Sequence, residues 1–268
     1  MQTTSTSAPI GIFDSGVGGL SVYQAVRQSL PFEDIIYLAD SGHAPYGERS
    51  RDFISERAFK LSRFLLEQGA KAIVVACNTA TVVSVERLRQ HFTLPIIALE
   101  PAIKPAIECS RSGTVGVLAT RRTLESPAVE HLCRAYGQGR NIILQACPGF
   151  VEQVELGQMH SPATLALVEQ YVAPLRDAGA DTLVLGCTHY AYLQHAIQQK
   201  AGAQVRLLDS ASAVARQVTR RLHAISLANH YPRQAQDQFF TTAHDVHAAS
   251  EVMSILLAHK VEVKRASI

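Results

Sequence analysis

Apolar runs of strand length alternate along the chain with segments whose apolar residues recur every three or four positions. Residues 10–13 (IGIF) run into the turn DSGVGG, after which Leu20, Tyr23, Val26 and Leu30 mark one face of a helix. Residues 35–40 (IIYLAD) read as a second strand, and the loop SGHAPYGERS leads into a long amphipathic helix carrying Phe53, Ala58, Leu61 and Leu65. Gly69 stands where that helix should end, because the position just past a helix C-terminus favours a left-handed residue. A third strand, 73–76 (IVVA), runs into Cys77 and a helix reaching about Gln90. Strands alternating with helices predict a parallel sheet.

The second half repeats the scheme. Residues 69–77 (GAKAIVVAC) align without gaps with 179–187 (GADTLVLGC), 110 positions on. Upstream, 11–13 (GIF) resembles 116–118 (GVL) at an offset of 105, and downstream 96–100 (IIALE) resembles 205–209 (VRLLD) at an offset of 109. Buried parallel strands are generally short and rich in Val, Ile and Leu, which accounts for any single pair. It does not account for a Cys at the same point of both copies. The pattern predicts a duplicated unit: an α/β fold of two pseudo-symmetric lobes, each a mostly parallel sheet flanked by helices, with the active site in the cleft between them. Ser161-Pro162 caps a helix running toward Gly179, with a kink expected at Pro174. After Asp209 come a helix, a strand at 239–242 (FFTT) and a helix ending near His259, in which His244 and His247 read as solvated. Crossovers are expected near Glu100-Pro101 and Asp209. The first lobe is then 1–100 plus 209–268, and the second 101–208.

Composition narrows the class. At 268 residues, with 47% hydrophobic and 18% charged positions, the chain is that of an ordinary globular protein. Trp is absent and aromatics are only 6%, so the core must be built from Ala, Val, Ile and Leu. Net charge is +2, and no basic run exceeds a pair such as Arg121-Arg122, so neither nucleic acid nor membrane is indicated as a partner. No apolar run approaches the roughly 18 residues of a membrane span. The start MQTTSTSAP lacks the basic and apolar regions of a signal peptide and reads as a polar tail. Five Cys at irregular spacing (77, 109, 133, 147, 187) make a poor disulfide framework and fit a reducing cytoplasm.

Cys77 and Cys187 each stand where a strand ends and a helix is expected to begin. Ligands of parallel sheets bind at the carboxyl ends of strands. The N–H groups of a following helix favour both a thiolate and a substrate carboxylate there. A thiol of ordinary pKa ~8.5 becomes a base near neutrality if lowered by about a unit or two. Two symmetric thiols suit inversion of an amino-acid α-carbon, one removing a proton from one face while the other returns one to the opposite face. The developing carbanion needs donors at the carboxylate, and Asn78, Thr79 and Thr188 adjoin the thiols. Cys109, Cys133 and Cys147 read as small buried hydrophobes. No CxxC pair supports zinc, and Cys187-Thr188-His189 alone is not a four-ligand set. A Cys187–His189 hydrolase is disfavoured because residues i and i+2 do not face one another on a helix. A two-lobed protein that binds a small acid without chemistry is the alternative from another class.

Four motifs, DSGVGG (14–19), PYG (45–47), CNTA (77–80) and CTHY (187–190), together resemble the glutamate racemases of the aspartate/glutamate racemase superfamily, over about residues 10–209. Each motif is common alone, whereas the four in this order are specific. The resemblance implies interconversion of L- and D-glutamate without pyridoxal phosphate, metal or other cofactor, the D-glutamate feeding peptidoglycan. The sequence itself leaves a Schiff-base lysine open. By the same resemblance Cys77 and Cys187 carry the proton, Asp14 meets the substrate ammonium or supports the nearby thiol, and Ser15 stands beside it. Tyr46 and Gly47 belong to a substrate-contacting loop. Asn78-Thr79 and Thr188-His189 line the site beside each Cys, with His189 helping Cys187. Glu152 resembles a supporting carboxylate, its other reading being a surface helix residue. Thr120 and Thr123 are the second-lobe counterparts of Asp14-Ser15. A homodimer is also implied, with no interface legible in the sequence. Aspartate or a related dicarboxylate stays open as substrate, since cleft geometry decides side-chain length. The chain departs from the family at Ala191, where Pro is usual, at Tyr192, where an aliphatic is usual, and at Ser41-Gly42-His43-Ala44, where many relatives carry a Thr-Ala-Arg sequence. These departures bear on loop packing and subunit contacts rather than on reaction type.

Overall fold

The computed structural model describes residues 5–268, so the first four residues of the expected polar tail lie outside the described residues. The chain opens with β1 (Ile10–Asp14), α1 (Leu20–Ser29), β2 (Ile35–Ala39), α2 (Arg51–Glu67), β3 (Ala72–Val75), α3 (Asn78–His91) and β4 (Ile96–Ala98). It then crosses to α4 (Ile103–Cys109), β5 (Thr114–Ala119), α5 (Arg121–Leu124), α6 (Pro127–Tyr136), β6 (Asn141–Ala146), α7 (Phe150–Glu155) and α8 (Pro162–Asp177). β7 (Thr182–Leu185), α9 (Gln194–Ala201) and β8 (Arg206–Leu208) follow. The return passes through α10 (Ala211–Ala224), β9 (Asp237–Thr241), α11 (Val246–Leu257) and β10 (Val263–Arg265).

Two parallel sheets result, ordered β10-β9-β2-β1-β3-β4 and β6-β5-β7-β8. The order β2-β1-β3-β4 recurs in the second sheet as β6-β5-β7-β8, as expected of a doubled unit. Register agrees: Gly11 pairs with Ile73 and Gly116 with Leu183, which reproduces both the 105 and the 110 offsets. The last landmark differs. Ile73 pairs with Ile96 but Leu183 pairs with Leu207, so the β4/β8 offset is 111 rather than 109. A two-residue shift leaves the alternation of faces unchanged, so the apolar pattern alone could not distinguish the two registers.

Alternation along the strands divides the core. Ile10, Ile12, Tyr37 and Val74 face a large cluster that continues through Leu118, Phe150, Leu185 and Tyr190 of the second half. Phe13, Leu38, Ile73 and Val75 face the other way, under Leu61 and Leu65 of α2. Gly69 is left-handed at φ +84 just past α2, and Gly179 at φ +78 past α8, so both helices end as expected. Ser161 caps α8 through the Thr164 N–H, and the helix continues past Pro174 to Asp177. His247 lies exposed on α11, but His244 precedes that helix and meets Arg265 Nη2 at 3.0 Å. The two crossovers lie side by side, the Ser210 hydroxyl donating to the Glu100 carbonyl at 2.7 Å. No helix of the described residues is long and apolar enough to cross a membrane.

Candidate active site

In both sheets the strand order turns back on itself beside the central strand, and such switch points are where open parallel sheets leave a crevice for ligands. Asp14, Cys77, Thr120 and Cys187 stand at the carboxyl ends of β1, β3, β5 and β7 or just beyond. All four are buried.

Asp14 is the hub. Its Oδ1 accepts from the Ser15 N–H at 2.8 Å and the Ser15 hydroxyl at 3.3 Å. Its Oδ2 accepts from the Gly19 N–H at 2.6 Å and, from the other half, the Thr188 hydroxyl at 3.2 Å. Burial raises the Asp14 carboxyl above its ordinary range, opposed by the charge of His189 and the N–H groups of Ser15 and Gly19.

Cys77 is extended and caps α3, its sulfur accepting from the Ala80 N–H at 3.4 Å and lying 3.5 Å from the Ser15 hydroxyl. A helix start acting alone would lower this thiol, as the sequence leads one to expect. Instead burial, and next the charge of Asp14, push it well above its ordinary value. Hydrogen bonds from Ser15 and Ala80 oppose the rise. Desolvation in a dry cleft outweighs one turn of helix dipole.

Cys187 differs from its counterpart. A 3-10 turn, Thr188–Leu193, follows it instead of an α-helix, and Cys187 itself is extended at φ −144. The helix argument against a Cys187–His189 contact therefore fails: His189 Nδ1 lies 3.8 Å from the Cys187 sulfur. The same nitrogen is 4.0 Å from Asp14 Oδ2, and Nε2 meets Glu155 Oε1 at 2.6 Å. Burial would lower the His189 pKa, but the bonds and charges of Cys187 and Glu155 together carry it well above the ordinary value.

The carboxylate on His189 is thus Glu155, not Glu152. Glu152 lies one helical turn earlier on α7, is exposed, and lines a void of about 30 Å³ with Gly47, Thr120, Cys147 and Tyr190. Glu155 Oε1 also accepts from the Val17 N–H at 2.7 Å, and Oε2 from the Ser41 hydroxyl at 2.7 Å. A Cβ on Gly16 would stand 1.8 Å from Glu155 Oε1, so the glycine turn leaves room for this carboxylate. Sequence reasoning missed Glu155 and Ser41; the only signal was a second Glu three positions after Glu152.

The remaining candidates close the site. The Thr79 hydroxyl lies 2.9 Å from that of Thr120 and 3.2 Å from that of Thr123, joining the halves. Asn78 is buried with its side-chain NH₂ unpartnered. Tyr46 is buried, its hydroxyl donating to Asp40, which also binds Arg57 through Nε at 3.0 Å and Nη2 at 2.7 Å. This scaffold holds the loop through Gly47, where a Cβ would lie 3.0 Å from Thr120 Cβ. Against Cys187, Asn78 and Thr188 the free space is only about 10 Å³. Voids this small hold a water or two, not an amino acid.

Two thiols, a carboxylate and an imidazole thus gather about equivalent strand ends, beside the unpartnered Asn78 NH₂, in a buried cleft. The Asp/Glu/hydantoin racemase family model matches residues 10–218. A glutamate racemase of Methylococcus capsulatus is 51% identical over 84% of this chain and 83% of its own length. Among solved structures, a glutamate racemase isoform of Bacillus anthracis superposes with a TM-score of 0.88 at 30% identity, covering 98% of each chain. A glutamate racemase of Francisella tularensis, solved in complex with D-glutamate, gives 0.84 at 28% identity, again over 98% of each.

Proposed function

The chain belongs to the Asp/Glu/hydantoin racemase family, and from that premise we propose that it interconverts L- and D-glutamate by moving the α-proton between Cys77 and Cys187, without a cofactor. Relatives named glutamate racemase that match along most of their length support the substrate. The observation that carries the mechanism is the convergence of two thiol-bearing strand ends on one carboxylate, Asp14.

Burial and the Asp14 charge favour the protonated form of Cys77, which suits it to begin as the acid. Cys187, beside the His189–Glu155 pair, begins as the base, its thiolate balanced by the imidazolium. The thiolate takes the α-proton from one face, and the Cys77 S–H gives its own proton to the other. The opposite enantiomer reverses both transfers, which is why neither sulfur alone suffices. Asn78 and Thr79 supply donors to the substrate carboxylate as carbanion charge develops. Asp14 with Ser15 meets the ammonium or steadies Cys77, Thr188 holds Asp14, and Thr120, Thr123, Tyr46 and Gly47 wall the cleft.

In this reading the lobes divide at 100/101 and 208/209. The protein works in the cytoplasm on a free amino acid, as a homodimer, and supplies D-glutamate for peptidoglycan. Light scattering tests the dimer. For the reaction, metal-stripped protein is assayed on glutamate and aspartate by chiral chromatography, with solvent deuterium followed at the α-carbon. Cys77→Ala and Cys187→Ala should each lose at least about 10³-fold in turnover while keeping the wild-type unfolding transition. Near-normal turnover by either variant defeats the two-base scheme, and faster turnover of aspartate defeats the substrate assignment. Activity that returns only on adding a cofactor defeats its independence.

A further inference from the structure

Glu155 is reached from both halves of the molecule. It stands on α7 of the 114–208 half, where Oε1 accepts from His189 Nε2. Its other two donors, the Val17 N–H and the Ser41 hydroxyl, come from the turns after β1 and β2 of the opposite half. The chain of contacts runs from Ser41 through Glu155 and His189 to the Cys187 sulfur, with steps of 2.7, 2.6 and 3.8 Å. Both thiols are buried, and the void beside Cys187 measures about 10 Å³. Substrate therefore enters only when the halves separate, and separation withdraws Ser41 and Val17 from Glu155.

We infer that Ser41 is a positioning residue that latches the closed cleft through Glu155, so that His189 is set against Cys187 only after the lobes have shut on substrate. A carboxylate with three donors is fixed in place. Deprived of the two from the facing lobe, it keeps only His189 and is free to turn toward water. The latch thus couples closure to the readiness of one of the two thiols, and keeps the Cys187–His189 pair unset while the cleft is open to solvent. The inference rests on the racemase reading for its kinetic consequence, but the latch itself is a property of the fold.

Two measurements on the full-length protein test it. In Ser41→Ala, kcat/KM should fall about tenfold, the scale of one hydrogen bond to a charged group. The fall should be equal in both directions, because the equilibrium constant of a racemisation is one. Ser41→Thr, which keeps the hydroxyl, should restore most of it. Independently of catalysis, Ser41→Ala should raise the iodoacetamide labelling rate of Cys77 and Cys187 about tenfold, read by peptide mass spectrometry, with half-buried Cys133 unchanged as internal standard. If the wild type does not racemise glutamate, the functional reading falls and the labelling arm alone judges the latch. Wild-type labelling rates in Ser41→Ala overturn the latch. In an active enzyme, so does an unchanged kcat/KM or a Ser41→Thr variant as impaired as Ser41→Ala.

Discussion

A methyl group on Gly18 would meet His189 Nδ1 at 2.2 Å and the His189 backbone nitrogen at 2.6 Å. The second contact is with main chain, which no rotamer change relieves, so the glycine turn of one lobe and the 3-10 turn of the other are fitted at the level of single atoms. At this scale the two glutamates of α7 separate by role. Glu155→Gln removes the charge facing His189 and should lower kcat/KM about 10- to 100-fold. Glu152→Gln, exposed at the rim, should stay close to wild type in the same steady-state assay. Comparable losses in the two variants would contradict the assignment. The thiols themselves were legible in the sequence because packing alone gives no reason for a Cys to close both of two like strands. Glu155 was not, because its partners are set by tertiary contact: Val17 is 138 positions away and His189 34, and two Glu three apart share a helix face.

Strands and helices were legible where burial wrote a period into the chain. β1, β3, β5 and β7 lie inside their sheets and read as continuous apolar runs, whereas β6 is a half-buried edge and β10 is three residues long. The run Ile142-Ile143-Leu144 of β6 is too short to be told from a loop or helix segment by period, and β10 (VKR) carries no apolar run at all. The loop Ser41–His43 shows why a departure from the family can be tolerated. A Cβ on Gly42 would stand 2.6 Å from the Thr242 carbonyl oxygen, while His43 Nδ1 takes a place on Asp40 at 3.0 Å. The turn from α4 into β5 offers a pH test. Burial opposes charge on Asp181, but donors from Ser110, Ser112, Arg111 and Thr182 outweigh it and hold the carboxyl at about 2, below its reference value of 3.8. A depressed carboxyl contributes stability that is complete above its unfolded value and lost as pH falls through its folded one. The advantage of wild type over Asp181→Asn in urea unfolding should therefore be constant above about pH 5 and shrink between about 4 and 2. An advantage independent of pH would show that the carboxylate charge contributes nothing.

Across the whole molecule, the end of the first sheet remote from the site is pinned by an ion pair with almost no exposure. Lys71 meets Glu33, whose other oxygen accepts from the Asn229 N–H of the returning segment. Removing one partner strands a charge in a dry place, so Lys71→Met should cost about 3–5 kcal/mol in urea unfolding. The double variant with Glu33→Met should recover part of that loss, and activity per folded molecule should not change. A single variant as stable as wild type would mean that water reaches the pair. Repetition of the fold was readable from offsets, but not the fine register of the outer strands. Nor could the sequence say how two lobes covalently joined twice would move. The side-by-side crossovers, tied at Ser210 and Glu100, have a mechanical consequence. A body held by one thread can wander and twist, but one held by two adjoining threads swings like a door on its jamb. On the proposed mechanism, such a hinge would return Cys77 and Cys187 to one fixed relation at each closure. The path of the backbone then limits the directions in which the two halves can part.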